Sequence, residues 1–366
     1  MDDKIKLFVN YLVKEYKYAY YFETSQFGND LKKLIWPDNP IVLASGKNDL
    51  IEVMAFGGCI AVIDCNNFNR FMLNSKKVKS FIKYLGDREN RYKVYYGKAK
   101  TTYNEYYLPE KFIKKYLDKD DNFNADSITD DIINNCPTPA SFSDDNKDKL
   151  QKCLDLLVCA AYVRFMHRSK NEMTDVSERS MQTIIARKNI DIGHKSDFVF
   201  IDTEFKIQIK KENEEKTSSV DLVVLDKKRK AFGLIEFKYQ GKSMDKDDKN
   251  SLTVHCDDFK IMLEKQKDVI LEKLKKFTVQ LIDLDIITDG KVKQSVNETK
   301  ELWCGFYFIS NKDNNTARNH VTMSLDERIA KDYQDQVIEK FEPKFLEFVK
   351  FQHVDIGDID KGFSFN

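Results

Sequence analysis

The stretch SVDLVVLDKKRKAFGLIEFKY, residues 219–239, contains two apolar runs separated by the charged segment DKKRK. Each run has the length and the β-branched and aromatic content of a strand, and the charged segment suits a hairpin turn. Side chains two apart on a strand share a face, so Glu236 and Lys238 point together while Phe237 points the other way. The hairpin then brings Asp221, at the start of the first run, within reach of that pair.

These charged side chains indicate a site, because a buried charge is costly unless it is paired or bound to a metal. Two carboxylates and the backbone carbonyl of Phe237 are ligands that suit a hard divalent cation and leave positions for water. Lys238 would orient or deprotonate an attacking water, or stabilise negative charge on phosphorus. A plainer interpretation stays open, in which Glu236 and Lys238 lie on the solvent face of a strand pair.

The segments around the hairpin predict an ordered α/β core. Helical and strand periodicities give a helix at 177–188, strands at 198–211, 220–225 and 231–239, a helix at 255–282, a strand at 302–310 and an amphipathic helix at 325–351. The first six of these segments are in the order αβββαβ.

Asp221 and the Glu236-x-Lys238 pair, placed in this order, resemble the PD-(D/E)XK nuclease superfamily, which has the restriction-endonuclease-like fold. The resemblance covers about residues 175–312, and it departs from the family pattern at Val220, where a proline is common. It implies catalytic roles for Asp221, Glu236 and Lys238. It also implies that Asp221 and Glu236 bind the metal together with Glu178, from the first core helix.

The resemblance implies a Mg²⁺- or Mn²⁺-dependent endonuclease, a hydrolase of phosphodiester bonds, with DNA as the expected substrate. Host defence or restriction is compatible with such an activity. Gln182, Lys242, His255 and Lys260 are the candidate nucleic-acid-binding residues. Each has a plainer interpretation as a solvated loop or helix-start residue, and Glu178 would also stabilise its own first helical turn.

The charge distribution divides the chain into parts. The 366 residues carry 60 basic and 60 acidic groups, but residues 76–100 are strongly basic and tyrosine-rich, and residues 118–148 are rich in Asp, Asn and Ser. The acidic composition predicts a linker. We therefore expect an α+β domain of unknown fold at 1–117, which binds substrate or regulates cleavage, the linker at 118–148, and the nuclease-like domain at 149–366.

Several classes of protein are excluded by the sequence. No window is apolar enough to span a bilayer, the N-terminus lacks the features of a signal peptide, and the seven cysteines form no CxxC pair. We expect a cytoplasmic protein with reduced thiols and no membrane partner, and a homodimer, because cutting both strands of a duplex often needs two sites. The alternatives are a non-catalytic nucleic-acid-binding or regulatory module on the same fold and an interaction protein without a nucleic-acid role.

Overall fold

The structure is a computed structural model. It describes residues 3–15, 41–44, 50–55, 58–64, 66–83, 94–95, 103–104, 116–120, 122–170, 197–211, 214–239, 252–310 and 325–355. The chain divides into two compact units, Met1–Ile184 with Leu284–Ile286, and Ile185–Asp283 with Ile287–Asn366. Both units contain helices and strands, so the mixed α/β class predicted from the sequence is confirmed.

The first unit combines a small antiparallel sheet with helices. Its described elements are α1 (Asp3–Asn10), β1 (Ile41–Ala44), β2 (Leu50–Ala55), β3 (Gly58–Asp64), α2 (Ser75–Ile82), β4 (Val94–Tyr95), β5 (Tyr103–Asn104), α3 (Ala125–Asn135) and α4 (Lys147–Lys170). Strands β1, β2 and β3 form one antiparallel sheet in that order.

Helix α3 lies within the segment that composition predicts to be a linker. It buries Ile128, Thr129 and Ile132, whose i, i+1, i+4 spacing gives one apolar helical face. The aspartates that dominate the composition of this segment occupy other positions, and one of them, Asp126, forms an ion pair with Lys79 of α2. The segment therefore contributes to the core of the first unit. Helix α4, which we expected in the C-terminal domain, also belongs to the first unit.

The second unit is built on a five-stranded mixed sheet. Its described elements are β6 (Phe198–Lys211), β7 (Glu214–Asp226), β8 (Ala231–Tyr239), α5 (Leu252–Lys265), α6 (Lys267–Asp283), α7 (Gly290–Glu298), β9 (Glu301–Ser310), α8 (Leu325–Lys340) and β10 (Val349–Asp355). The strand order is β10-β9-β8-β7-β6. Strands β6, β7 and β8 pair antiparallel, whereas β8 pairs parallel with β9 and β9 with β10. The parallel step from β8 to β9 uses the helical crossover α5–α7.

Strand β8 lies at the centre of this sheet, which explains its apolar sequence. Phe232, Leu234, Ile235 and Phe237 have no exposed surface, as expected of a strand covered on both faces. Gly233 leaves room for the ring of Trp303 on β9, because a Cβ at this position would lie 2.3 Å from Trp303 Cζ2.

The strands predicted at 198–211, 231–239 and 302–310 agree with the structure. The strand predicted at 220–225 is only the last part of β7, which begins at Glu214, and two predicted helices differ from the structure. Residues 255–282 form two helices, α5 and α6, that meet at Gln266; the Gln266 side chain donates to the backbone oxygen of Gln208 on the outer strand β6, at 2.8 Å. The predicted helix 325–351 ends at Lys340, and a 3₁₀ turn, Pro343–Phe348, leads into β10. Pro343 explains the end of the helix, because proline lacks the N–H that the helix interior requires. The helix predicted at 177–188 lies outside the described residues.

Candidate metal-binding and catalytic site

Strands β7 and β8 separate at one end of their hairpin. Their pairing joins 222–226 with 231–235. Beyond it, β7 continues along β6 as far as Glu214, and β8 continues along β9 as far as Tyr239. We call this point the fork, and define it by Asp221 on β7 and by Glu236 and Lys238 on β8.

Asp221 connects the two strands where their backbone pairing stops. Its Oδ2 accepts a hydrogen bond of 2.7 Å from the backbone N–H of Phe237. The carboxylate thus accepts a bond that a backbone carbonyl of β7 would accept if the pairing of β7 with β8 continued. Since this bond fixes the carboxylate to β8, Asp221 is held next to Glu236 and Lys238.

Glu236 and Lys238 form a buried ion pair. Lys238 Nζ lies 2.6 Å from Glu236 Oε1, and the two side chains are only 5% and 1% exposed. The ring of Phe237 points the other way and packs on Tyr307, with 5.9 Å between ring centroids. This burial contradicts the interpretation in which Glu236 and Lys238 lie on a solvent-facing strand pair.

The Glu236 carboxyl group is in an electrostatic environment that favours a bound cation or proton. Burial raises its pKa; the charge of Lys238 and hydrogen bonds with Lys238 and Asp221 lower it, and the charge of Glu204 raises it. Glu236 Oε2 is buried and has no hydrogen-bond partner among the described residues. An unpaired buried carboxylate oxygen is costly, so a positive group at this oxygen would stabilise the site.

Helix α5 bridges the fork and brings further polar side chains to it. His255 Nε2 lies 3.2 Å from Glu236 Oε1. Asp258, one turn later, accepts a hydrogen bond of 2.8 Å from Ser218 Oγ on β7 and lies 2.5 Å from Lys216 Nζ. The helix is therefore attached to β7 through Asp258, and its His255 contacts Glu236 on β8.

Of the remaining predicted site residues, one is described by the structure and three are not. Lys260 lies on α5 but makes ion pairs with Glu342, at 3.5 Å, and Glu264, at 4.0 Å. Glu178, Gln182 and Lys242 lie outside the described residues. The nucleic-acid-binding roles of Gln182, Lys242, His255 and Lys260 remain predictions.

The cluster at the fork is not a complete metal cage. Within the ranges that the structure describes, no group of three or more His, Cys, Asp or Glu side chains is arranged to hold a metal ion.

Sequence reasoning found the cluster but missed three of the polar contacts around it. The contact of Ser218 with Asp258 and the contact of His255 with Glu236 depend on where α5 packs, for which the sequence has no local signal. The third contact is the hydrogen bond between Ser219 and Glu204. It was missed because nothing in the strand pattern of 198–211 distinguishes Glu204 from its neighbours.

Comparison of the chain with protein-family models, with curated proteins and with solved structures gave no match. In the described part of the chain, no helix is both long enough and apolar enough for a transmembrane span.

Proposed function

We propose that this protein is a divalent-cation-dependent nuclease that hydrolyses phosphodiester bonds in DNA, with a restriction-endonuclease-like core in its second unit. The observation that carries the proposal is the buried cluster of Asp221, Glu236 and Lys238 at the fork. Two carboxylates beside a lysine on adjacent strands match the site expected from the sequence motif.

The residues at the fork fit a hard divalent cation. Asp221 and Glu236 would hold it, because Glu236 Oε2 accepts no hydrogen bond among the described residues and carboxylate oxygens are the ligands that Mg²⁺ and Mn²⁺ prefer. When bound, the cation would lower the pKa of a water ligand and offset negative charge on the phosphate. Glu178 remains a further candidate ligand on the motif alone.

The protein's own side chains supply orientation and charge at this site. The hydrogen bond from the Phe237 N–H fixes the Asp221 carboxylate. The contact with Glu236 fixes the Lys238 amine, so Lys238 needs little reorganisation to stabilise negative charge that develops on phosphorus.

A non-catalytic nucleic-acid-binding or regulatory module on the same fold is the second candidate function. One observation favours it, namely that Glu236 and Lys238 already neutralise each other in a buried pair. Such a pair would serve as a structural element and would need no cation.

Cleavage assays separate the two candidates. The full chain should cut plasmid DNA with Mg²⁺ or Mn²⁺ and fail to cut with EDTA, and parallel assays on single-stranded DNA and RNA would define the substrate. Asp221→Asn and Lys238→Met should each lower the cleavage rate at least about 100-fold, in line with the loss of an electrostatic catalytic group.

The matched control for these variants is Glu215→Gln. Glu215 is a carboxylate on the same strand as Asp221, is 63% exposed and pairs with Lys210. This variant should cleave at the parent rate. Circular dichroism would verify that each variant is folded. Metal-independent binding of DNA without products would support the non-catalytic module, and parent-like cleavage by a folded Asp221→Asn protein would contradict the proposed site.

A further inference from the structure

A third carboxylate, that of Glu204, lies beside the fork on strand β6. Strands β6 and β7 pair Thr203 with Leu222 and Phe205 with Val220, so Glu204 lies on β6 at the level of Asp221, between two paired positions. Asp221 in turn adjoins Glu236, because the next pair along is Leu222 with Ile235. Three acidic positions therefore follow one another across three adjacent strands.

The backbone of Glu204 is unusual for a strand. Its φ angle is 51°, in the left-handed region that residues with a Cβ seldom occupy. Such conformations persist where the surrounding structure holds them, and they are concentrated at functional sites. Here the conformation interrupts the regular alternation of β6 at the level of Asp221.

The Glu204 side chain contacts strand β7 at Ser219. Ser219 Oγ donates a hydrogen bond of 3.1 Å to Glu204 Oε2, and Ser219 is two residues before Asp221, on the same face of β7. Glu204 is only half-buried, so its carboxylate stands at the outer margin of the site, where water has access.

We propose that Glu204 is an additional carboxylate of the cation site, which binds water molecules of a hydrated divalent cation rather than the cation itself. This inference rests on the proposed function. An outer role agrees with the preference of Mg²⁺ for keeping several of its waters. Glu236 Oε2, which is buried and accepts no hydrogen bond in the described part of the chain, points to a positive ligand at the same site.

The test is calorimetric titration of Mn²⁺ into the full chain without nucleic acid. Glu204→Gln should weaken Mn²⁺ binding by about 10- to 100-fold, the usual effect of removing an outer-shell partner of a metal. The glutamine keeps an oxygen that accepts the Ser219 hydrogen bond, so its unfolding midpoint without metal should equal that of the parent. Ser219→Ala should weaken binding less than Glu204→Gln, because it releases the carboxylate without removing it.

The control and the contrary outcomes are distinct. Glu215→Gln removes an exposed carboxylate of the neighbouring strand and should bind Mn²⁺ like the parent. If the parent binds Mn²⁺ and Glu236→Gln does not, but Glu204→Gln binds with parent affinity, then the inference on Glu204 is wrong and the proposed function stands. If the parent binds no Mn²⁺, both are wrong.

Discussion

The ion pair of Glu236 and Lys238 is costly to bury, and its retention requires a reason. Removing two charges from water has a desolvation cost of several kcal/mol for each ion, and the attraction between them repays it only with good geometry. The separation of 2.6 Å between Lys238 Nζ and Glu236 Oε1 gives that geometry, but Glu236 Oε2 accepts no hydrogen bond among the described residues. The pair is thus better explained by a role in binding than by stability alone.

A double-mutant cycle measures how strongly the pair is coupled. Glu236→Gln and Lys238→Met should each lower the free energy of unfolding by about 3 kcal/mol or more, because each leaves the other charge buried and uncompensated. The double variant should lose less than the sum of the two. Urea denaturation without divalent cations is the measurement.

The exposed pair of Lys210 and Glu215 provides the control for this cycle. Its side chains are 75% and 63% exposed and lie 3.0 Å apart, so the coupling between them should stay below about 1 kcal/mol. Additive effects of Glu236→Gln and Lys238→Met would contradict the description of a tightly coupled buried pair.

At the residue scale, the sequence predicts the centre of the site but not its margin. The convergence of Asp221, Glu236 and Lys238 follows from strand alternation and a short hairpin turn, both of which are local properties. Glu204 could not be found in this way, since its role depends on a left-handed φ angle and on the register of β6 with β7.

At the scale of elements, the fork exists because β7 and β8 have different partners beyond their short common ladder. Strand β7 extends along β6, and β8 extends along β9. Side chains therefore fill the position where backbone pairing stops, and α5 connects both strands through Asp258 and His255. The position of the site thus depends on the packing of β8 against β9.

The contact of Gly233 with Trp303 tests how strictly that packing is determined. Gly233→Ala should lower the free energy of unfolding by about 1–3 kcal/mol, the usual cost of overpacking, because its Cβ would lie 2.3 Å from Trp303 Cζ2. Urea denaturation followed by tryptophan fluorescence would measure the change.

Gly290 is the matched control for this substitution. It is the first residue of α7, and a Cβ there would have no neighbour within 4 Å. Gly290→Ala should therefore be neutral or stabilise the protein by up to about 1 kcal/mol. Equal losses for the two variants would show that the Trp303 contact does not limit the packing of β8 against β9.

The elements themselves were predictable to the extent that local signals mark their ends. Strands β6 and β8 have the predicted bounds because turn and charged residues enclose their apolar runs. The break at Gln266 was not predictable, since the apolar stripe continues through it and the Gln266 side chain bonds to Gln208 of β6, which is distant in sequence. Strand β10 was not predicted, because the helix predicted at 325–351 was extended past Pro343. This proline in fact marks the end of α8.

At the scale of the whole molecule, the balance of 60 basic and 60 acidic residues conceals local arrangements. In the first unit, the basic helix α2 and the acidic helix α3 share the Lys79–Asp126 ion pair. In the second unit, the charged side chains at the fork are buried and not exposed to solvent. Net charge therefore does not argue against a phosphate-bearing partner, and a substrate-binding or regulatory role for the first unit remains a prediction.

The central claim is that Asp221 and Glu236 hold a divalent cation at the fork. Anomalous diffraction from crystals of the full chain soaked in MnCl₂ tests it most directly. We predict an anomalous peak within bonding distance of both carboxylates, with Lys238 adjacent to it. Peaks confined to other parts of the molecule, with Lys238 Nζ still bound to Glu236 Oε1 and no density between Asp221 and Glu236, would contradict the claim.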